Sequence, residues 1–207
     1  MPLVRERIAK TREFRLSSSK AATRKFADMP TRFMEMRQPG SDYIIVPRVS
    51  SETRRYIPMG YMDKDVICSD SNILIPEITP YHFGILESNV HMAWMRVVCG
   101  RLKSDYRYSN TIVYNNFPWP NPTDEQKAKI EQTAQAILDA RALYPDSSLA
   151  DLYDELTMPV ELRKAHQDND RAVMAAYGFP IKTMTESQCV AELFKLYQEC
   201  SHIPHTC

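Results

Sequence analysis

Four charged residues spaced two apart, Arg101, Lys103, Asp105 and Arg107 in the block CGRLKSDYRYS, are the part of this 207-residue chain best suited to chemistry. In an extended segment that spacing sends the side chains to one face, with Lys103 and Asp105 about 7 Å apart. Lysine only donates hydrogen bonds and ionised aspartate only accepts them, so together they offer a donor beside an acceptor. Two readings stay open: a surface ion pair worth about 0–1 kcal/mol, or a pair aimed at a partner with the complementary edge. Ser50, Ser51, Arg54 and Arg55 form a second polar cluster upstream, and a basic stretch brings Arg24 and Lys25 close to Phe26 and Phe33. Cations among aromatic anchors suit phosphate oxygens; an ordinary exposed loop or linker is the other reading of each.

These side chains need a frame. From Gly84 to Cys99 the apolar residues Leu86, Val90, Trp94, Val97 and Val98 recur at threes and fours, which predicts one helix with a buried face, stopped by Gly100. Ile112, Val113, Tyr114 and Phe117 predict a strand ended by Pro118 and Pro120. The charged block then joins a buried helix to a buried strand. Upstream, Tyr43–Val46, Tyr56 with Ile57, Val66 with Ile67, and Ile73–Ile75 read as short strands separated by turn residues such as Asp70, Ser71 and Asn72. Residues 3–16 read as a helix broken at Ser17.

Beyond Pro122 the pattern is helical. Thr123 with Gln126 is a capping box, and Ile130, Ala134, Ile137 and Leu138 mark a buried stripe to about Leu143. Leu149–Tyr153 reads as a short helix. Thr157 before Pro159 opens another, with Leu162, Ala165, Asn169, Val173 and Tyr177 inward and Gly178 closing it. Thr185 with Gln188 repeats the capping box before Val190, Leu193, Phe194 and Tyr197. The expected fold class is α+β: a small mixed α/β domain over residues 1–120, its first 40 or so a basic linker, then a helical bundle over 121–207.

A net charge of zero hides a gradient: residues 1–60 hold 13 Lys and Arg against 6 Asp and Glu, residues 121–207 hold 8 against 14. A basic first third suits phosphate contact and an acidic last third opposes it. Five cysteines without a C-x-x-C pair suggest neither a disulfide framework nor a zinc ribbon. His202, His205 and Cys207 could hold a metal, but a locally biased tail explains them as well. No apolar run reaches a membrane span, and MPLVRERIAKTREF lacks an apolar signal core, so a cytoplasmic protein with no membrane partner is expected.

The run HMAWMRVVCGRLKSDYRYSNTIVYNNFPWP, with SSETRRYIPMGY upstream and LYPDSSLADLYDELTMPVEL downstream, resembles the C-terminal third of the MmeI-like restriction and modification enzymes. The likeness extends from about Arg12 to Gly178 and resumes at Phe194–Glu199. Those enzymes join a nuclease, an S-adenosylmethionine-dependent adenine DNA methyltransferase, a target recognition domain and a helical C-terminal domain. The resemblance therefore implies recognition and C-terminal domains only, with double-stranded DNA as partner and a separately encoded methyltransferase and nuclease portion as a second one. It implies that Lys103, Asp105 and Arg107 read bases, since the positions either side of Ser104 vary with the recognised base in that family. Lysine donates to guanine and aspartate accepts from cytosine, so a G·C pair is expected. Arg24, Lys25, Ser50, Ser51, Arg54, Arg55 and Arg101 are assigned to phosphates. Asp70, Ser71 and Asn72 are turn formers that could also reach base edges.

The catalytic signatures of that family are missing from this stretch. No two of the five glycines share one turn, as a cofactor loop would require. Asn115, Asn116, Phe117 and Pro118 lack the adjacent prolines of an Asn-Pro-Pro-aromatic block, and no Glu-x-Lys follows Pro145 and Asp146. Neither a catalytic centre nor a cofactor is expected here; S-adenosylmethionine belongs to the full-length relatives. The alternatives are a structural fragment that does not bind DNA, or an enzyme with an unrecognised site such as Asp105 with His91.

Overall fold

The computed structural model describes residues 1–201, so the tail with His202, His205 and Cys207 lies outside the described residues. Backbone contacts divide the chain into Met1–Gln38 and a larger unit from Pro39 onward.

In the smaller unit, α1 (Pro2–Leu16) starts with proline, whose missing N–H costs nothing in a first turn. The helix buries no residue. Arg15 holds the unit together: its guanidinium donates to the carbonyls of Phe26 (2.9 Å), Met29 (2.6 Å) and Arg32 (2.8 Å), just past α2 (Ala21–Lys25).

The larger unit contains two three-stranded antiparallel sheets. One has the order β3-β1-β4, with β1 Tyr43–Pro47, β3 Gly60–Met62 and β4 Asn72–Pro76; the other has β2-β6-β5, with β2 Val49–Ser50, β5 Gly100–Leu102 and β6 Asp105–Arg107. Only Arg48 separates β1 from β2, so the chain crosses between sheets at one residue. Two expected strands are absent. Tyr56 and Ile57 are buried in a loop, and Val66 and Ile67 sit in turns, with the Val66 carbonyl accepting from the Tyr43 hydroxyl. Tyr56 and Ile57 fill the core instead of forming a ladder, whereas Val66 and Ile67 are exposed.

The organising helix is also two helices. α3 (Pro80–Leu86) ends at Glu87, and α4 (Asn89–Val98) begins after Ser88, whose hydroxyl accepts from His91 N and donates to Ile85 O. A serine that satisfies the backbone on both sides offers an alternative to the helical ladder and breaks it. Leu86, Val90 and Trp94 are buried as expected, whereas Val97 is exposed. Gly100 does not stop the helix in a left-handed turn; Cys99 turns extended and Gly100 opens β5. Ile112–Tyr114 form no strand either. Asn110–Tyr114 make a π-type turn, with Asn115 N donating to Asn110 O at 2.8 Å, that buries Val113 and gives its carbonyl to Trp94 Nε1 at 3.0 Å.

The later helices follow the sequence closely. α5 (Asp124–Ala142) starts on the Thr123–Gln126 capping box and buries Ile130, Ala134 and Ile137. α6 (Leu149–Leu152), α7 (Val160–Ala176) and α8 (Glu186–Ser201) complete the helical layer. Thr157 does not open α7; its hydroxyl donates to Asp151 O, and Pro159 is the N-cap. Gly178, at φ +70°, ends α7 in the left-handed region where glycine is favoured. One hydrophobic core runs from Ile44 to Leu193, joining the sheets to the helices without a break at residue 120. α3 and α5 approach so closely that a Cβ on Gly84 would lie 2.7 Å from Ile130 and 3.1 Å from the Ala134 methyl.

Candidate nucleic-acid interface

The charged block is a β-hairpin, not an extended junction. Gly100 pairs with Arg107, Arg101 with Tyr106 and Leu102 with Asp105, leaving Lys103 and Ser104 as a two-residue turn. That turn reverses the parity of the side chains. Residues paired directly across the ladder share a face, so Leu102, Asp105 and Arg107 lie on one side and Arg101 and Tyr106 on the other. Tyr106 is buried. Arg101 therefore points with it, its guanidinium 4.3 Å from the Tyr106 ring centroid, 2.9 Å from Ser104 O and 3.9 Å from Glu52. The expectation that all four charges share a face is corrected by one turn.

Lys103 occupies the tip with φ +56°. A non-glycine residue there carries a steric cost of about 1–2 kcal/mol, so the turn is not chosen for local comfort. The solvent face of the hairpin presents Asp105, half-buried, and Arg107, exposed. β2 lies beside β6 with Val49 paired to Arg107 and Ser50 to Tyr106. Ser50 consequently follows Tyr106 inward, is buried, and its hydroxyl meets no partner, so it offers nothing to a phosphate outside.

A cleft of about 500 Å³ opens between this hairpin and the turn before β4, lined by Pro47, Arg48, Val49, Ser71, Asn72, Leu102 and Arg107. Arg48, which belongs to none of the charged clusters in the sequence, builds that cleft. Its Nε donates to Asp70 O (2.9 Å), its amide to Ser71 O (3.1 Å), and its carbonyl accepts from Tyr108 N (2.9 Å). Its only sequence signal is a single arginine just after the β-favouring run Tyr43–Val46 and Pro47. Arg54 and Arg55 lie elsewhere, along a second groove of about 460 Å³ shared with Asn89, Arg96 and Glu186. Arg54 reaches Ala150 O at 3.5 Å, Ser51 bonds Thr53 within its own loop, and Arg55 is exposed. Arg24 and Lys25 belong to the separate smaller unit, where Arg24 donates to the carbonyls of Ser18 and Ser19.

Beneath the hairpin, His91 is fully buried on α4 with Nε2 3.0 Å from the Tyr108 hydroxyl. Burial pushes its pKa down to about 3, so the ring is neutral. The acid–base pair of Asp105 with His91 is not formed; Tyr108 holds the histidine instead.

A family model described as "MmeI, target recognition domain" matches residues 1–121, and a second, "MmeI, C-terminal domain", matches residues 122–203. The chain belongs to the MmeI family. Its fold agrees with a solved MmeI structure, titled as the Type IIL restriction-modification enzyme in complex with DNA, at a TM-score of 0.89 and 50% identity, over 97% of this chain and 27% of that one. DNA methyltransferase A of Bacillus subtilis is 40% identical over 198 residues. This MmeI-like chain spans 22% of that relative's length. It corresponds to the target recognition and C-terminal regions, and no helix among the described residues is long and apolar enough to cross a membrane.

Proposed function

We propose that this chain binds double-stranded DNA and selects its sequence for an adenine methyltransferase and restriction system whose catalytic portion lies outside these residues. The supporting observation is the hairpin: within an MmeI target recognition region, the Lys103–Ser104 turn and the solvent face of β6 carry a donor, an acceptor and an arginine together at the edge of a cleft. The hairpin projects Lys103 and Asp105 from either side of one residue, where lysine suits guanine O6 and N7 and aspartate suits cytosine N4 in the major groove. Arg107, from the same face as Asp105, is the third base-reading side chain. Arg54, Arg55 and Ser51, with Arg24 and Lys25 of the smaller unit, are assigned to backbone phosphates, which position a protein without specifying sequence. Arg101 lies over the Tyr106 ring and is left to brace the hairpin. S-adenosylmethionine is assigned to the catalytic portion.

Selection and sequencing of duplexes bound by the full chain from a randomised pool tests this reading. A defined consensus with a G·C pair is the expected result, and Lys103→Glu with Asp105→Arg should move preference at one position from guanine to cytosine. Each mismatch there should cost about 1–3 kcal/mol. A pool that emerges unenriched would reject DNA recognition in favour of a structural fragment.

A further inference from the structure

α4 has, beside its local cap Ser88, a second N-terminal acceptor from another part of the chain. Ser88 covers His91 N, but the first free amide of the helix, Asn89 N, donates to Asp170 Oδ1 at 2.7 Å. Asp170 belongs to α7, 81 residues further on. Its other oxygen accepts from Asn89 Nδ2 (2.6 Å) and the Tyr56 hydroxyl (2.7 Å), so both oxygens of this buried carboxylate are committed to the helix start and the loop beside it. A carboxylate there also meets the positive end of the helix dipole.

The far end of the same helix holds the hairpin. Cys99 is the only residue between α4 and β5, so no flexible linker absorbs a tilt of the ten-residue rod. The segment leaving the hairpin returns to α4 as well, through His91 Nε2 to the Tyr108 hydroxyl and Trp94 Nε1 to Val113 O. The hairpin is thus gripped by α4 on entry and exit, and α4 is gripped at its start by α7. Behind it, Glu87 accepts from Arg141 of α5 (2.8 Å) and Met59 N (3.0 Å), and its carbonyl lies 3.1 Å from His166 Nδ1 of α7.

We propose that Asp170 is a positioning residue for the reading hairpin: the helical C-terminal region sets the placement of Lys103, Asp105 and Arg107 by capping α4 from outside. The proposal rests on the DNA-recognition reading for its consequence, but its mechanical core stands apart from it. Asp170→Asn keeps the size of the side chain and removes its charge, and Asp170→Ala removes this distant acceptor while Ser88 remains.

Hydrogen exchange on the full chain, without DNA, tests the mechanical core. Amides of the β5–β6 ladder at residues 100–107 should exchange roughly three- to tenfold faster in Asp170→Asn, while those of β1 and β4 keep the parent rate. Should Asp170→Ala fail to fold, Asp170→Asn alone decides. Hairpin amides that stay at the parent rate, or that speed up in step with β1 and β4, would overturn the proposal. With DNA, discrimination between the selected duplex and one altered at the hairpin's base pair should fall at least about threefold in Asp170→Asn, with nonspecific affinity within about twofold of the parent. Equal loss on both duplexes would also count against it. Failure of the parent to bind any duplex would instead reject the DNA reading, leaving the exchange measurement to judge the cap.

Discussion

Arg101 and Tyr106 face each other across the hairpin ladder, with the guanidinium 4.3 Å from the ring centroid. The contact turns a residue that looks like a DNA ligand in the sequence into a brace, and it separates two kinds of arginine on one chain. Arg101→Ala should remove a cation–π contact of about 0.5–1 kcal/mol together with the bond to Ser104 O, loosening the turn. Sequence discrimination should then fall while the salt dependence of binding barely changes. Arg54→Ala with Arg55→Ala should do the reverse: weaker binding to all duplexes alike, and a slope of log affinity against log salt shallower by about 1.8. Titrations at several salt concentrations distinguish them, and identical slopes in parent and Arg54/Arg55 variant would remove those residues from the phosphate set.

Lys103 pays a conformational cost at φ +56° that glycine would not. Lys103→Gly should leave the protein as stable as the parent or more stable by up to about 1 kcal/mol, and should abolish selection at one base pair. Urea unfolding beside duplex selection checks both halves. Unchanged sequence preference would show that the lysine reads nothing.

Trp94 is buried, donates to Val113 O and packs on Phe194 at 5.1 Å and Tyr197 at 5.8 Å. Trp94→Ala should cost about 3–5 kcal/mol, enough to unfold a domain of ordinary stability. A variant that melts with the parent yet loses DNA binding would make Trp94 a contact residue instead.

His91 is held neutral in the folded protein, its pKa lowered from 6.5 to about 3 by burial. The unfolded chain takes up that proton first, so the stability His91 contributes is fully present above pH 6.5 and is lost as pH falls toward 3. Asp170 and Glu87, raised by burial to about 6 and about 7, act with the opposite sign: their contribution is present below the ordinary carboxylate range and lost as pH rises through 6 and 7. In the parent these slopes offset one another. His91→Gln, which can still meet Tyr108, removes only the histidine slope, so between pH 7 and pH 5 it should gain roughly 1–2 kcal/mol relative to the parent. Equal changes in parent and variant over that interval would show that His91 titrates normally.

Gly84 marks the closest approach of α3 and α5. Gly84→Ala should cost about 1–3 kcal/mol through overpacking against Ile130 and Ala134, despite the higher helix propensity of alanine. A raised melting temperature would mean the helices can separate freely.

The sequence by itself determined the features whose causes are local. The capping boxes at Thr123 and Thr185, the Ile130–Ala134–Ile137 stripe and the end of α7 at Gly178 each depend on side chains within one or two turns. The family too was readable from contiguous runs such as CGRLKSDYRYS. Tertiary structure decided the rest, because the deciding partners are distant or the local signal is ambiguous. Lys103-Ser104 contains neither glycine nor asparagine, so nothing announces a two-residue turn, yet that turn is what puts Arg101 on the face of Tyr106 and Asp105 and Arg107 on the other. The Ile112–Tyr114 run has strand composition but closes into a π-type turn around the Trp94 indole. Glu87 and Asp170 look like solvated helix charges; both are buried because Arg141, 54 residues from Glu87, and Asn89, 81 residues from Asp170, supply the hydrogen bonds that make such burial tolerable.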